Sequence, residues 1–242
     1  MNVQLGSLLK DCLSCPRITD SPWCNLDAET TAYLSAAKVC RPYIPGQALY
    51  RHGDSCHGLF CVLTGTVVVR RSNADGASVI VRIAGAGDIL GYRTFFAEEA
   101  YPDSAEALIA ATVCFIGREA VQTLMEDHPE VARRFLRRMA CDQSETQERL
   151  LQNAACSVRD RVVRLLYALK CRYGTTRQDG SLEIRLPIGR KDIAEMIGSC
   201  AESVIRAMRS LEAEGLAVFK GRLAVIADPV ELFSPLEQEL VR

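Results

Sequence analysis

The chain has no apolar run approaching the roughly 18 residues that a membrane-spanning helix needs, which predicts a protein with no membrane partner. It opens MNVQLGSLLKDCLSC, without the charged n-region and long apolar h-region of a secretory signal. The expected location is therefore the reducing cytoplasm, where disulfides are usually transient and clustered cysteines bind metal or sense redox state. Also missing are a phosphate-cradling glycine loop and a nucleophile elbow, and the scattered Asp and Glu form no case for acid–base catalysis, so no enzyme is expected. Net charge is nearly absent too, at −1 over 242 residues.

What is present in excess is cysteine, eleven residues in all. Three of them, Cys12, Cys15 and Cys24, crowd into the first turns of the chain in the order Cys-x-x-Cys followed by eight residues and a third Cys. Such spacing lets several thiolates reach one metal centre, and it fits an iron–sulfur cluster, a zinc knuckle or a thiol–disulfide pair. The balanced charge is unevenly spread. Residues 158–222 hold thirteen Arg and Lys against eight Asp and Glu, a surplus of five that leaves −6 for the remainder. A basic C-terminal part points to an anionic partner at that end.

Four regions follow from texture: a cysteine-rich segment over 1–40, a glycine-punctuated region over 41–118, a helical region over 119–156 and a basic region over 157–242. The second reads as short strands at Leu59–Leu63, Thr66–Arg71, Val79–Ile83, Leu108–Thr112 and Val113–Ile116, separated by turns such as Pro45-Gly46 and Asn73-Ala74-Asp75-Gly76. Many short strands at regular spacing predict an antiparallel roll or barrel, and the fold expected here is the jelly roll. The third region is helical, broken at His128-Pro129, where proline suits the first turn of a new helix. Beyond it Ala132, Leu136, Met139, Gln143, Thr146, Leu150 and Asn153 are spaced alternately four and three residues apart, a heptad seam expected to pair two copies of the chain, with packing on its own domain as the alternative. Its polar members would weaken the seam while fixing its register.

The fourth region predicts a helix over Arg161–Tyr173 and then two helices meeting at a turn containing Gly198, with Ser199 as the N-cap of the second. That second helix divides into two faces. Val204, Ala207, Met208 and Leu211 share the buried one, and Glu202, Ile205, Arg206 and Arg209 repeat the same spacing outside. A carboxylate can accept from cytosine N4, a guanidinium can bind guanine O6 and N7, and isoleucine can touch a thymine methyl, so this stripe suits the major groove of double-stranded DNA. After Gly215, Leu216–Ile226 reads as two strands around Lys220-Gly221-Arg222, the wing of a winged helix-turn-helix. The wing cations Lys220 and Arg222, with Arg190, Lys191 and Ser199 at the ends of the two-helix unit, are expected on phosphate.

The fold class expected is α+β. Its order of parts resembles the CRP/FNR family of transcription regulators, those of the cyclic-AMP receptor protein and the fumarate-nitrate reduction regulator. The resemblance rests on Gly53-Asp54, Gly65 and Gly87-Asp88-Ile89 in the roll, the long helix, and Glu202-Ser-Val-Ile-Arg206 in the second helix, which is similar to the family's reader of a TGA core in a palindromic site. It implies a cyclic-nucleotide-binding-like roll, a long dimerisation helix, a homodimer on a palindromic operator and contact with RNA polymerase, for which Tyr92–Glu99 and Asn73–Gly76 are candidate surfaces. Cyclic AMP is not expected, because Gly91-Tyr92-Arg93 and Tyr101-Pro-Asp103-Ser-Ala105 stand where cyclic-nucleotide binders have Gly-Glu and Arg-Ser. The FNR-like branch instead implies a [4Fe–4S] cluster on Cys12, Cys15, Cys24 and Cys114, sensing oxygen or nitric oxide, with Cys40 or Cys61 as alternatives to Cys114. Haem is the runner-up cofactor, with His52, His57 and His128 as available axial ligands. A structural metal with another small ligand in the roll is a further alternative.

Overall fold

A computed structural model describes residues 11–240, except residues 16 and 20; the first ten residues of the expected cysteine-rich segment lie outside the described ones. The chain forms two compact units, residues up to Ser144 and residues from Glu145 onward. In order the elements are α1 (Ala28–Ala37), β1 (Lys38–Tyr43), β2 (Ala48–Tyr50), β3 (Gly58–Thr64), β4 (Thr66–Ser72), β5 (Ser78–Gly85), β6 (Ile89–Leu90), α2 (Tyr92–Ala97), β7 (Ser104–Ala107), β8 (Ala111–Gly117), α3 (Arg118–Asp127) and α4 (Pro129–Ala155). The second unit continues with α5 (Val158–Tyr173), β9 (Gly174–Thr176), β10 (Leu182–Arg185), α6 (Arg190–Met196), α7 (Ala201–Ala213), β11 (Ala217–Lys220), β12 (Leu223–Ile226) and α8 (Pro229–Leu240).

The first unit is the expected roll, two antiparallel four-stranded sheets in the orders β1-β8-β3-β6 and β2-β7-β4-β5. Of the strand expected over Leu108–Thr112 only Ala111 and Thr112 are extended, and they join the strand expected over Val113–Ile116 to form β8. The chain bends at residues 108–110, where the N–H of Leu108 donates to the Thr66 carbonyl at 2.8 Å, and pairing resumes only at Ala111. Gly65 makes this bend possible: it has φ +84°, and a Cβ there would lie 2.4 Å from the Ala110 carbonyl oxygen. Helix α1 starts on Asp27, whose carboxylate accepts from the Thr30 N–H at 2.8 Å, and that bond holds the carboxyl below its usual range.

Phe135 of α4 is completely buried and meets Trp23, Tyr92 and Phe96 with ring centroids 5.3, 5.9 and 5.7 Å away. A polar cluster completes the junction of roll and helix. Arg82 of β5 pairs with Asp88 at 3.2 Å and Asp142 at 3.4 Å, while the Tyr92 hydroxyl donates to Asp142, to which Arg138 also lies within 3.0 Å. Both the Phe135 ring and this cluster fix the first part of α4 against its own roll.

In the second unit the sheet order is β11-β12-β10-β9. Leu166, Ile184, Ile188, Ile193, Leu211, Ile226 and Phe233 are fully buried there, which gives the basic region a core of its own. The helix break at His128-Pro129 and the winged two-helix unit stand as expected.

Candidate DNA interface and thiol cavity

Helix α7 realises the two faces read from its sequence. Val204, Ala207, Met208 and Leu211 are buried, and Glu202, Arg206 and Arg209 are exposed. Ile205 differs from expectation: it is half-buried, because it lines a notch with Arg190, Met208, Arg209, Glu212 and Phe219. The N-cap also differs. Cys200, not Ser199, occupies it, because the Ser199 N–H is turned back onto the Ala194 carbonyl at 2.9 Å while Gly198, at φ +62°, reverses the chain. Arg206 donates to the Ser203 hydroxyl at 3.2 Å, a bond that orients the guanidinium along the exposed face.

Arg190, Lys191, Lys220 and Arg222 are all exposed and Ser199 is half-buried. The wing turns at Gly221, φ +60°, and the Arg222 carbonyl accepts from the Leu186 N–H at 2.8 Å, which ties the wing base to the segment before α6. Cations on a fixed hairpin beside an exposed arginine face can meet phosphate while the helix addresses base edges.

Along α4 the expected seam divides. Leu136 and Leu150 are 59% and 65% exposed, and Gln143 and Thr146 are exposed with them. Ala132 is half-buried, Met139 packs partly on the roll core, and Asn153 accepts from Arg161 at 3.0 Å. The unpartnered apolar positions of this face are therefore Leu136 and Leu150.

The N-terminal segment runs as successive tight turns in which the N–H groups of Cys15, Ile18, Ser21 and Cys24 each bond the carbonyl three residues earlier, at 3.1 to 3.2 Å. The Cys12 N–H donates to the Ser35 hydroxyl of α1 at 2.7 Å, and Arg134 of α4 donates to the carbonyls of Pro22 and Cys24. These turns lay Cys12 and Cys15 over the sheet. One cavity there is lined by Cys12, Cys15, Cys61 and Cys114, with Trp23 and Lys38 among its other walls. Cys24 does not line it.

The sheet explains why Cys61 does. Cys114 sits on β8 directly opposite Cys61 of β3 on one side and Cys40 of β1 on the other, so all three side chains share one face. Cys114 is joined to Cys40 by a disulfide. Trp23 Nε1 donates to Cys61 Sγ at 3.3 Å, and burial pushes that thiol up to about 12 in spite of this bond. Among the described residues no three His, Cys, Asp or Glu side chains are grouped closely enough to hold a metal ion as they stand. The cavity nevertheless offers four sulfurs, counting Cys114 once its bond to Cys40 is reduced, beside the cation of Lys38, and that donor set suits an iron–sulfur cluster or zinc.

Other candidate sensor groups do not converge. His52 and His57 are exposed, and His128 is half-buried with its Nε2 2.8 Å from the Thr30 hydroxyl and Nδ1 3.4 Å from Glu130. None of the three lines the thiol cavity. In the roll, Asp103 bonds the Tyr50 hydroxyl, and burial raises its carboxyl above the usual range although Arg93 opposes the shift. Arg71 and His52 face the same carboxyl. Trp23 and Arg134, which join the N-terminal turns to α4, carried no sequence signal, since neither belongs to a repeat or a ligand pattern.

A family described as cyclic nucleotide-binding domain matches residues 40–128, and one described as Crp-like helix-turn-helix domain matches residues 160–233. Among curated proteins the chain is 26% identical over 186 residues to the fumarate and nitrate reduction regulatory protein of Shigella dysenteriae, covering 77% of this chain and 74% of that one. It is 27% identical over 192 residues to the transcriptional activator protein anr of Pseudomonas aeruginosa, covering 79% and 78%. It is also 24% identical over 206 residues to a CRP-like cAMP-activated global transcriptional regulator of Mycobacterium tuberculosis, covering 84% and 92%. The fold is similar to that of FixK2 from Bradyrhizobium japonicum, with a TM-score of 0.71 at 22% identity over 81% of this chain and 96% of that one.

Proposed function

We propose, from the premise that this chain belongs to the CRP/FNR family of transcription regulators, that it is a redox-responsive, homodimeric DNA-binding protein of the cytoplasm whose thiol cavity controls occupancy of a palindromic site with a TGA-type core. The observation that carries the sensing half is the convergence of Cys12, Cys15, Cys61 and Cys114 on one cavity. The DNA half rests on the exposed Glu202, Arg206 and Arg209 of α7 beside the wing cations. RNA polymerase is the further partner, through the exposed Asn73–Gly76 turn; Tyr92–Glu99 offers less surface than expected, because Tyr92, Thr94 and Phe95 are buried.

A [4Fe–4S] cluster held in this cavity would supply a cross-link that oxygen or nitric oxide destroys. Cys12, Cys15 and Cys114 are the members common to the sequence spacing and the cavity. Cys61 takes the fourth place if the segment stays as it is, and Cys24 takes it if the turns rearrange. The protein residues then do the rest. Thiols held together keep the turns of residues 12–24 in place, and those turns hold α4 through Trp23 against Phe135 and through Arg134 on two carbonyls. A fixed α4 presents Leu136 and Leu150 for pairing, and pairing places two recognition helices about 34 Å apart, one turn of DNA. Cyclic AMP plays no part in this scheme, because Gly91-Tyr92-Arg93 and Asp103 stand where cyclic-nucleotide binders have Gly-Glu and Arg-Ser.

Anaerobic purification with iron and acid-labile sulfide analysis tests the sensing half. Labile sulfide near the iron content is expected, and zinc or haem without sulfide would overturn the cluster. The dimer has its own test. Placing Glu at both Leu136 and Leu150 should convert the sedimenting species to monomer and remove cooperative binding to a palindrome, because two like-charged carboxylates per chain cannot be desolvated in a weak seam. A dimer of unchanged stability would place the interface elsewhere.

A further inference from the structure

The Cys114 sulfur stands in two places at once in chemical terms: it lines the thiol cavity, and it is bonded to Cys40. We infer that Cys40 is a resolving thiol, and that the Cys40–Cys114 disulfide and a metal-loaded cavity are mutually exclusive states of this protein. The inference rests on the proposed sensing reading for its physiological setting, but the exclusion itself follows from the sheet.

Strand β8 is flanked by β1 and β3, and its Cys114 faces Cys40 at one register position and Cys61 at the corresponding one. Facing residues of antiparallel strands have Cα atoms about 4.5–5.5 Å apart, within reach of a sulfur on either side. A metal ligand must be a thiolate, and a sulfur that has given its valence to a disulfide is no longer one. Oxidised, the cavity keeps Cys12, Cys15 and Cys61; reduced, it regains a fourth donor.

Access is asymmetric in the way such a switch needs. Cys114 is 4% exposed, whereas Cys40 is half-buried on β1, an edge strand of the sheet. A small disulfide therefore meets Cys40 first. The Cys40 thiolate attacks one sulfur of the small disulfide and expels one thiolate, which takes up a proton. The Cys114 thiolate then attacks the Cys40 sulfur and expels the second, giving Cys40–S–S–Cys114 and two small thiols for one small disulfide consumed. The two protein thiols are oxidised by two electrons and the small disulfide is reduced by two. Cys61, its sulfur capped by Trp23 Nε1 at 3.3 Å, is the poorer competitor for Cys114.

The test uses the full-length protein, reduced and free of metal, with cobalt(II) as a spectroscopic probe of thiolate ligation. One equivalent of glutathione disulfide should produce a Cys40–Cys114 linked peptide on proteolysis and abolish the thiolate-to-cobalt absorption, and dithiothreitol should restore it. The Cys40→Ser chain should keep that absorption after the same treatment, and preloading the unmodified chain with cobalt should slow formation of the linked peptide at least tenfold. Equal loss of absorption in Cys40→Ser, a Cys61–Cys114 peptide, or full cobalt absorption alongside the linked peptide would each overturn the inference. Absence of labile sulfide in anaerobic protein sinks the cluster alone, so the two failures are distinguishable.

Discussion

Arg206→Ala should lower affinity for the specific palindrome by about 1–3 kcal/mol per half-site, the usual worth of one bidentate base contact. Two half-sites act nearly independently, so the dimer loses roughly 2–6 kcal/mol, about 30-fold to 20,000-fold. The side chain is exposed and is oriented by Ser203 of the same helix, so folding should be unaffected. Non-specific affinity should change little in a titration at fixed salt. Lys220→Ala gives the contrast: it should weaken specific and non-specific binding together and reduce the salt slope by about one per wing, since it removes a phosphate contact. An Arg206→Ala protein of undiminished selectivity would remove α7 as the reader.

Cys61→Ser should abolish labile sulfide in anaerobic protein, whereas Cys24→Ser should retain most of it. The cavity decides the sign. Cys61 lines it beside Cys12, Cys15 and Cys114, while the Cys24 backbone is held away by Arg134. Serine is nearly isosteric with cysteine but does not supply a thiolate, so a loss at Cys61 reports ligation more than packing. The reverse pattern would show that the turns of residues 12–24 rearrange around the bound group and that the spacing Cys12, Cys15, Cys24 describes the loaded state.

Much of the architecture was legible in the sequence because it is local. The two faces of α7 follow from side chains three and four residues apart, the wing from a Lys-Gly-Arg turn between short strands, and the start of α4 from Pro129. What was not legible depends on chain segments far apart. No periodicity announces that Cys61 and Cys40 flank Cys114, since that follows from strand order β1-β8-β3 and from register. Likewise Phe135, one residue before the seam position Leu136, looks like any helical apolar residue until Trp23, Tyr92 and Phe96 close on it. The Leu108–Thr112 expectation failed over residues 108–110 for a related reason. Its apolar run suits a strand, but Gly65 lets the chain approach so closely that a bend bonded to Thr66 wins. Ile205 read as exposed because helical spacing cannot reveal that Phe219 of the wing lies beside it.

If the chemical state of the thiol cavity sets DNA occupancy, the two must change together. The most direct measurement is a DNA-binding titration of one anaerobic preparation at fixed salt on a palindromic site, before and after stoichiometric exposure to oxygen, with iron and labile sulfide measured on the same samples. The account predicts that dimer content and specific affinity fall together with labile sulfide, while the non-specific affinity carried by Lys220 and Arg222 persists. Specific affinity that stays constant as the sulfide disappears would contradict it.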